Sequence, residues 1–166
     1  MFKKIIVLCL SLVSISSIAA PNYDIQIWKE KYINLDEEGK EDIKETLSSK
    51  GWISVSRSRE YETLINFNYV EALPNGLTQA WLKHVVVNDI SKDGLALGDH
   101  TMVLSQFNCK NKTEKSVSYT DYDAKTGQSK RSYTYPSYTE MKPPVPDSVG
   151  ESQLESVCFF SYVKTH

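Results

Sequence analysis

Residues that carry chemistry are scarce in this chain. It has three histidines, His84, His100 and His166, far apart along the sequence. No H-E-x-x-H helix, no G-x-S-x-G elbow and no phosphate-cradling glycine loop occurs, so the signatures of zinc hydrolases, serine hydrolases and nucleotide-binding enzymes are absent. The expectation is a protein that is not an enzyme and that holds no metal or cofactor. His84 lies between apolar neighbours in a strand-like run, where a hydrogen-bonded histidine is a more ordinary state than a metal or haem ligand. His100 reads as a strand-start residue.

Long apolar runs are also missing. The longest, residues 5–13, falls short of the roughly 20 residues that span a bilayer, and nothing downstream approaches that length. Lys3 and Lys4 precede this run, and small residues ending in Ala19 and Ala20 follow it. That is the three-part pattern of a cleavable export signal over residues 1–20, with the cut after Ala19 or Ala20. Cys9 sits inside the run behind Ile6, Val7 and Leu8, not behind the small residues of a lipoprotein signal, so it is expected to leave with the leader. The expected location is therefore outside the cytoplasm, in the periplasm, on the cell surface or secreted, with no lipobox and no transmembrane segment in the mature chain.

A basic surplus is lacking too. The formal charge is −2, and losing Lys3 and Lys4 with the leader makes it −4. A mildly acidic chain lacks the electrostatic footprint of a nucleic-acid binder. About 146 residues remain, enough for one domain with a real core.

Of the three cysteines only Cys109 and Cys158 lie outside the leader. An even count in an oxidising compartment makes pairing the default, and no histidine neighbours either one to argue for a metal site. Closing a loop of 49 residues restricts the unfolded chain by ~4 kcal/mol on the entropy argument.

Residues 21–51 read as an N-terminal extension. Its first part, residues 21–32, mixes apolar and charged side chains without a clear period. Residues 35–50 predict a short charged helix, capped by Asn34 or Asp36, with Ile43 and Leu47 on one face and Gly51 as a stop. From Trp52 the pattern changes to short β-type runs over residues 52–57, 63–70, 77–88, 100–109, 115–122 and 128–135. Alternation in Ile65, Phe67 and Tyr69, and again in Val103, Phe107 and Cys109, points one face of each run toward a core. Pro74-Asn75-Gly76, Asp93-Gly94 and the stretch from Asp123 to Gly127 supply turn chemistry between them. An antiparallel meander follows, because these connections are too short for βαβ crossovers. No internal repeat or low-complexity segment interrupts it.

Residues 136–146 carry four prolines and predict an extended connector. Ser148 and Glu151 then form a capping box, and Leu154, Val157, Cys158 and Tyr162 fall on one stripe of a terminal helix. Cys109 ends a strand on the side of Phe107 and Val103, so a bond to Cys158 would pin that helix across one face of the sheet.

Tyr119, Tyr122, Tyr133, Tyr135 and Tyr138 gather around one predicted hairpin and its exit. Tyrosine offers apolar area with a polar tip, which suits contact with proteins or glycans; cross-strand packing is the competing use of the same rings. Lys125, Lys130 and Arg131 lie beside them and could meet acidic partners. Asn111-Lys112-Thr113 matches a glycosylation acceptor but reads as a turn after the cysteine.

Several stretches together resemble the surface-adhesin protein E family of Gram-negative bacteria. They are Gln106-Phe107-Asn108-Cys109-Lys110-Asn111, then Tyr119-Thr120-Asp121-Tyr122-Asp123 with Gly127, then residues 144–151 leading to Val157-Cys158. Gln79-Ala80-Trp81-Leu82-Lys83 is similar to the family's tryptophan-bearing strand, and residues 52–69 to its first hairpin. The resemblance covers residues 52–158, within a domain expected over 52–166. It implies an α+β fold: an antiparallel sheet of about six strands whose concave face carries a C-terminal helix attached through the disulfide. It further implies an adhesin that binds host matrix or plasma proteins, vitronectin and laminin among them. This chain departs from the founding member in lacking a lipidation cysteine and in having the extension before Trp52. Two other readings stand beside it: a structural or assembly factor working with other envelope proteins, and a small-molecule carrier, for haem.

Overall fold

The computed structural model describes residues 23–88 and 93–166. The expected leader, both candidate cleavage sites and Cys9 lie outside the described residues. The elements are α1 (Tyr23–Ile33), α2 (Glu37–Ser49), β1 (Trp52–Arg57), β2 (Tyr61–Ala72), β3 (Thr78–Val86), β4 (His100–Asn108), β5 (Thr113–Tyr122), β6 (Ser129–Thr134) and α3 (Val149–Thr165). The strands form one six-stranded sheet in the order β1-β2-β3-β4-β5-β6, each antiparallel to the next. The fold is α+β, an open meander with a terminal helix. Turn chemistry closes it as the sequence predicts. In the β5–β6 turn the Asp123 carboxylate accepts from the N–H groups of Lys125 and Thr126, both at 2.9 Å, and Gly127 takes φ +69°.

One face of the sheet, the inner face, carries α3. Ile65, Val70, Ala80, Leu82 and Phe107 from the strands meet Leu154, Val157, Phe160 and Val163 in one buried cluster. Each fully buried aliphatic or aromatic side chain contributes about 1.5–3 kcal/mol. The helix packs on β1, β2, β3 and β4, leaving the inner face of β5 and β6 beyond it. Cys109, just past β4, is bonded to Cys158 in α3 with their Cα atoms 5.5 Å apart. At the start of α3, Ser148 Oγ accepts from the Glu151 N–H at 3.3 Å. The Glu151 carboxylate reaches back to the N–H of Asp147 at 2.7 Å, one residue before the cap itself.

Residues 21–32, which show no clear period in sequence, contribute most of α1. Its two core anchors, Ile25 and Tyr32, are seven residues apart and so share a face two turns along. Tyr32 is fully buried, its hydroxyl donates to the Val163 carbonyl at 3.3 Å, and its ring meets Phe159 edge-on at 6.1 Å. With the sheet below and α1 above, α3 is buried on two sides. Phe159, Phe160 and Val163 therefore join the stripe of Leu154 and Val157 in the core. For α2, Asp36 is the cap, accepting from the Gly39 N–H at 3.0 Å, while Asn34 donates instead to the Glu30 carbonyl at 2.8 Å.

The alternation read through Ile65, Phe67 and Tyr69 breaks at its last member. Ile65 pairs with Leu82, but the next registered pair is Val70 with Ala80, so extra residues bulge out of β2 between them. The bulge resets the alternation. Ile65, Phe67 and Val70 point inward, whereas Tyr69 is 51 % exposed and turns to the opposite, outer face against Trp52.

Candidate functional site

The structure divides the predicted tyrosine group between two faces. Tyr119 and Tyr133 are cross-strand partners on the inner face, and Tyr135 completes a cluster with ring centroids 5.0–6.3 Å apart. Tyr122 lies on the outer face, stacked on His100 at 5.2 Å and 12°. Tyr138, in the proline-rich connector, is 84 % exposed.

The basic residues beside them serve buried carboxylates. Lys130 Nζ donates to Asp99 at 2.5 Å and lies 3.5 Å from Asp123. Asp99 also accepts from the N–H groups of Ala96 and Ala124, and the Lys130 bond is the main reason its carboxyl stays far below the usual carboxylate range. Arg131 pairs with buried Asp121, which also accepts from the Thr101 hydroxyl at 2.6 Å. These contacts fasten the edge strand β6 to β4 and β5. Lys125 stays exposed in the turn.

The outer face was largely unread in the sequence. Trp52, Tyr69, Trp81, Met102 and Tyr122 converge there from four neighbouring strands and β1 at the edge. Tyr69, Trp81, Met102 and Tyr122 line a shallow depression of about 270 Å³. Trp52 meets Tyr69 at 6.0 Å, and Lys83 Nζ stands 5.9 Å from the Trp52 ring centroid, within cation–π range. The helices pack on the other side of the sheet. A signal was present in β3, where Trp81 stands between the inward pair Ala80 and Leu82 and so must point away from the core.

On the inner face, beyond α3, a cleft of about 370 Å³ lies between β3–β5, the start of α3 and the proline-rich connector. Reciprocal bonds of 2.9 Å between the backbones of Glu114 and Lys142 tie that connector to β5. Its polar lining includes His84, Glu114, Tyr119, Tyr135, Lys142 and Gln153. Burial lowers His84 to about 4 and raises Glu114 to about 7. Gln153 Nε2 donates to Thr63 Oγ1 at 3.3 Å, and Thr63 Oγ1 lies 3.1 Å from His84 Nδ1. With the Thr63 hydroxyl accepting from Gln153 and donating to Nδ1, a neutral His84 would carry its hydrogen on Nε2. Among the described residues, no group of three His, Cys, Asp or Glu side chains is placed to hold a metal.

A meander sheet locked to its terminal helix by a disulfide, with aromatic side chains on surfaces the helix leaves open, defines the class: a disulfide-bonded α+β domain. Residues 52–159 match surface-adhesin protein E, and the chain belongs to that family. No curated protein and no solved structure matches the chain. Among the described residues no helix is long and apolar enough to cross a membrane.

Proposed function

We propose that this protein is an exported, non-enzymatic adhesin that contacts host matrix or plasma proteins, vitronectin and laminin in particular, through the outer face of its sheet. The observation that carries the reading is the convergence of Trp52, Tyr69, Trp81, Met102 and Tyr122 on a sheet face that no helix among the described residues covers. Cross-strand packing accounts for part of such a cluster, and Trp, Tyr and Met are also enriched at protein interfaces, where the first two dominate the binding energy. Lys83 and His100 at the margin add charge and hydrogen-bonding capacity around the apolar centre. Membership of the surface-adhesin protein E family supports the same partner class.

The test has two arms. Purified mature protein is measured for retention on vitronectin- and laminin-coated surfaces, and intact cells are treated with external protease. Retention together with loss of the protein from intact cells supports the proposal. Protection from protease with no retention favours the envelope-assembly role instead.

A further inference from the structure

The cleft on the inner face is separate from the outer surface and has a different chemistry. We propose that it is a carbohydrate-binding site, in which a saccharide ring lies against Tyr119 and Tyr135 while His84, Glu114, Gln153 and Lys142 take its hydroxyl groups.

Its size comes first. A cleft of about 370 Å³ falls within the roughly 300–1,000 Å³ of small-molecule sites. Its lining mixes two kinds of surface that few ligands satisfy together. Leu82, Val103 and the two tyrosine rings are apolar, and they suit the C–H face of a sugar. Between them stand donors and acceptors in directions fixed by the fold. His84 is the best fixed, because the contacts from Gln153 through Thr63 hold its ring at Nδ1 and leave Nε2 to meet a ligand hydroxyl. Glu114 is placed by its strand and by the first turn of α3. A side chain at Gly150 would bring a Cβ within 3.0 Å of the Glu114 carboxyl oxygen, so glycine leaves the carboxyl its room.

Other ligand classes fit this lining less well. A hydrocarbon would cover the Glu114 carboxyl and the remaining hydrogen-bonding positions of His84 and Gln153 without offering them a partner, at a cost of about 1–3 kcal/mol for each group so buried. An anion would find Lys115 and Lys142 in the lining but also the acidic Glu114 beside them. A neutral polyhydroxyl ligand uses both signs of group at once. The cleft also continues. A second depression of about 450 Å³ shares Glu114, Lys115 and Lys142 with it and runs on to Thr139, Glu140 and the exposed ring of Tyr138. A chain of sugars, not a single ring, matches that length.

The experiment titrates the isotopically labelled mature protein with lactose, chitotriose and maltotriose and follows backbone amide shifts by NMR. At least one of these sugars is expected to bind, with shifts clustered at His84, Glu114, Tyr119 and Tyr135. Ser116→Trp fills the cleft from β5 without removing any proposed contact and is expected to weaken binding about tenfold or more. Tyr135→Ala is expected to do the same, and Trp81→Ala on the outer face to leave sugar binding unchanged. The absence of shifts with all three sugars at millimolar concentration overturns the proposal. So does binding that Ser116→Trp leaves intact while its melting temperature matches the parent. Neither result bears on the outer face, whose protein partners are measured separately.

Discussion

Lys164, in the last turn of α3, donates from its ammonium to the backbone carbonyl of Val70 at 2.8 Å, across 94 residues of sequence. The same ammonium reaches the Asn68 carbonyl at 3.1 Å, and the Asn68 side chain donates to the Ser48 carbonyl at the end of α2. The Asn68 carbonyl inside the bulge and the Val70 carbonyl at its end thus share one donor on α3, and the Asn68 amide is held in turn by a carbonyl of α2. The bulge is a supported feature, and it is what carries Tyr69 to the outer face. Helix docking on one face thereby shapes the aromatic surface on the other.

Replacing Lys164 with Met keeps an unbranched side chain there and removes the donor, together with the ammonium 5.1 Å from the Phe67 ring centroid. The loss is expected to cost about 1–2 kcal/mol, as for charge-assisted bonds whose acceptors then face water poorly. Urea denaturation gives the stability, and amide exchange of residues 68–71 should accelerate ahead of the rest of β2. Unchanged exchange there would show that the bulge stands without its helix contact.

The disulfide governs global stability. A Cys109→Ser/Cys158→Ser double variant frees a 49-residue loop and should lose ~4 kcal/mol. Thermal melting of the oxidised parent and the variant measures this. Equal melting temperatures would show that packing against Leu154, Val157 and Phe160 holds α3 without the covalent link.

Much of this architecture was legible in the sequence because its determinants are local. Strand positions followed from runs between turn residues, and the terminal helix from Ser148 and Glu151. The Cys109–Cys158 pairing followed from count and compartment. What escaped the reading depends on contacts between distant segments. Two anchors, Ile25 and Tyr32, suffice for α1 because α3 waits beneath them, and two anchors make no visible period. The turn of Tyr69 requires the bulge, whose support comes from α2 and α3. Tyr119 and Tyr133 share a face of the sheet, whereas Tyr122 lies on the other; proximity in sequence does not report the face of a strand. The cleft assembles His84, Glu114, Lys142 and Gln153 from four segments, and none of those pairings leaves a local trace.

Titration inside the cleft gives two opposing pH dependences. His84 is held near 4 by burial against an ordinary 6.5. As pH falls from 6.5 toward 4, the unfolded chain takes up a proton that the folded one refuses, and stability is lost. Glu114 is raised from 4.5 to about 7. As pH rises from 4.5 toward 7, the unfolded chain releases a proton that the folded one retains, and stability is again lost. His84→Gln should therefore flatten the acid side by up to about 3 kcal/mol at pH 4. Glu114→Gln should raise stability at pH 8 by about 1–2 kcal/mol, discounted for the partial exposure of the carboxyl. Urea midpoints between pH 4 and 8 check both signs; parallel curves for parent and variants would contradict them.

Arg131 and Lys130 are predicted to act first on β6. Arg131→Gln leaves Asp121 buried with only the Thr101 hydroxyl as a side-chain donor. The edge strand should fray, lowering the melting temperature and speeding amide exchange at Tyr133 before the strands β1 to β4 respond. Exchange that rises uniformly across the sheet would show that the ion pair supports the whole domain and not its edge.

The central claim, that the outer aromatic face is the adhesive surface, is tested most directly by surface plasmon resonance on immobilised vitronectin and laminin. The comparison is between the mature protein and its Tyr69→Ala and Trp81→Ala variants. The account predicts binding by the parent and a loss of about tenfold or more in each variant, about 1.4 kcal/mol, with melting of Tyr69→Ala unchanged because its ring is half exposed. Failure of the parent to bind either protein, or variants that bind as tightly as the parent, would contradict it.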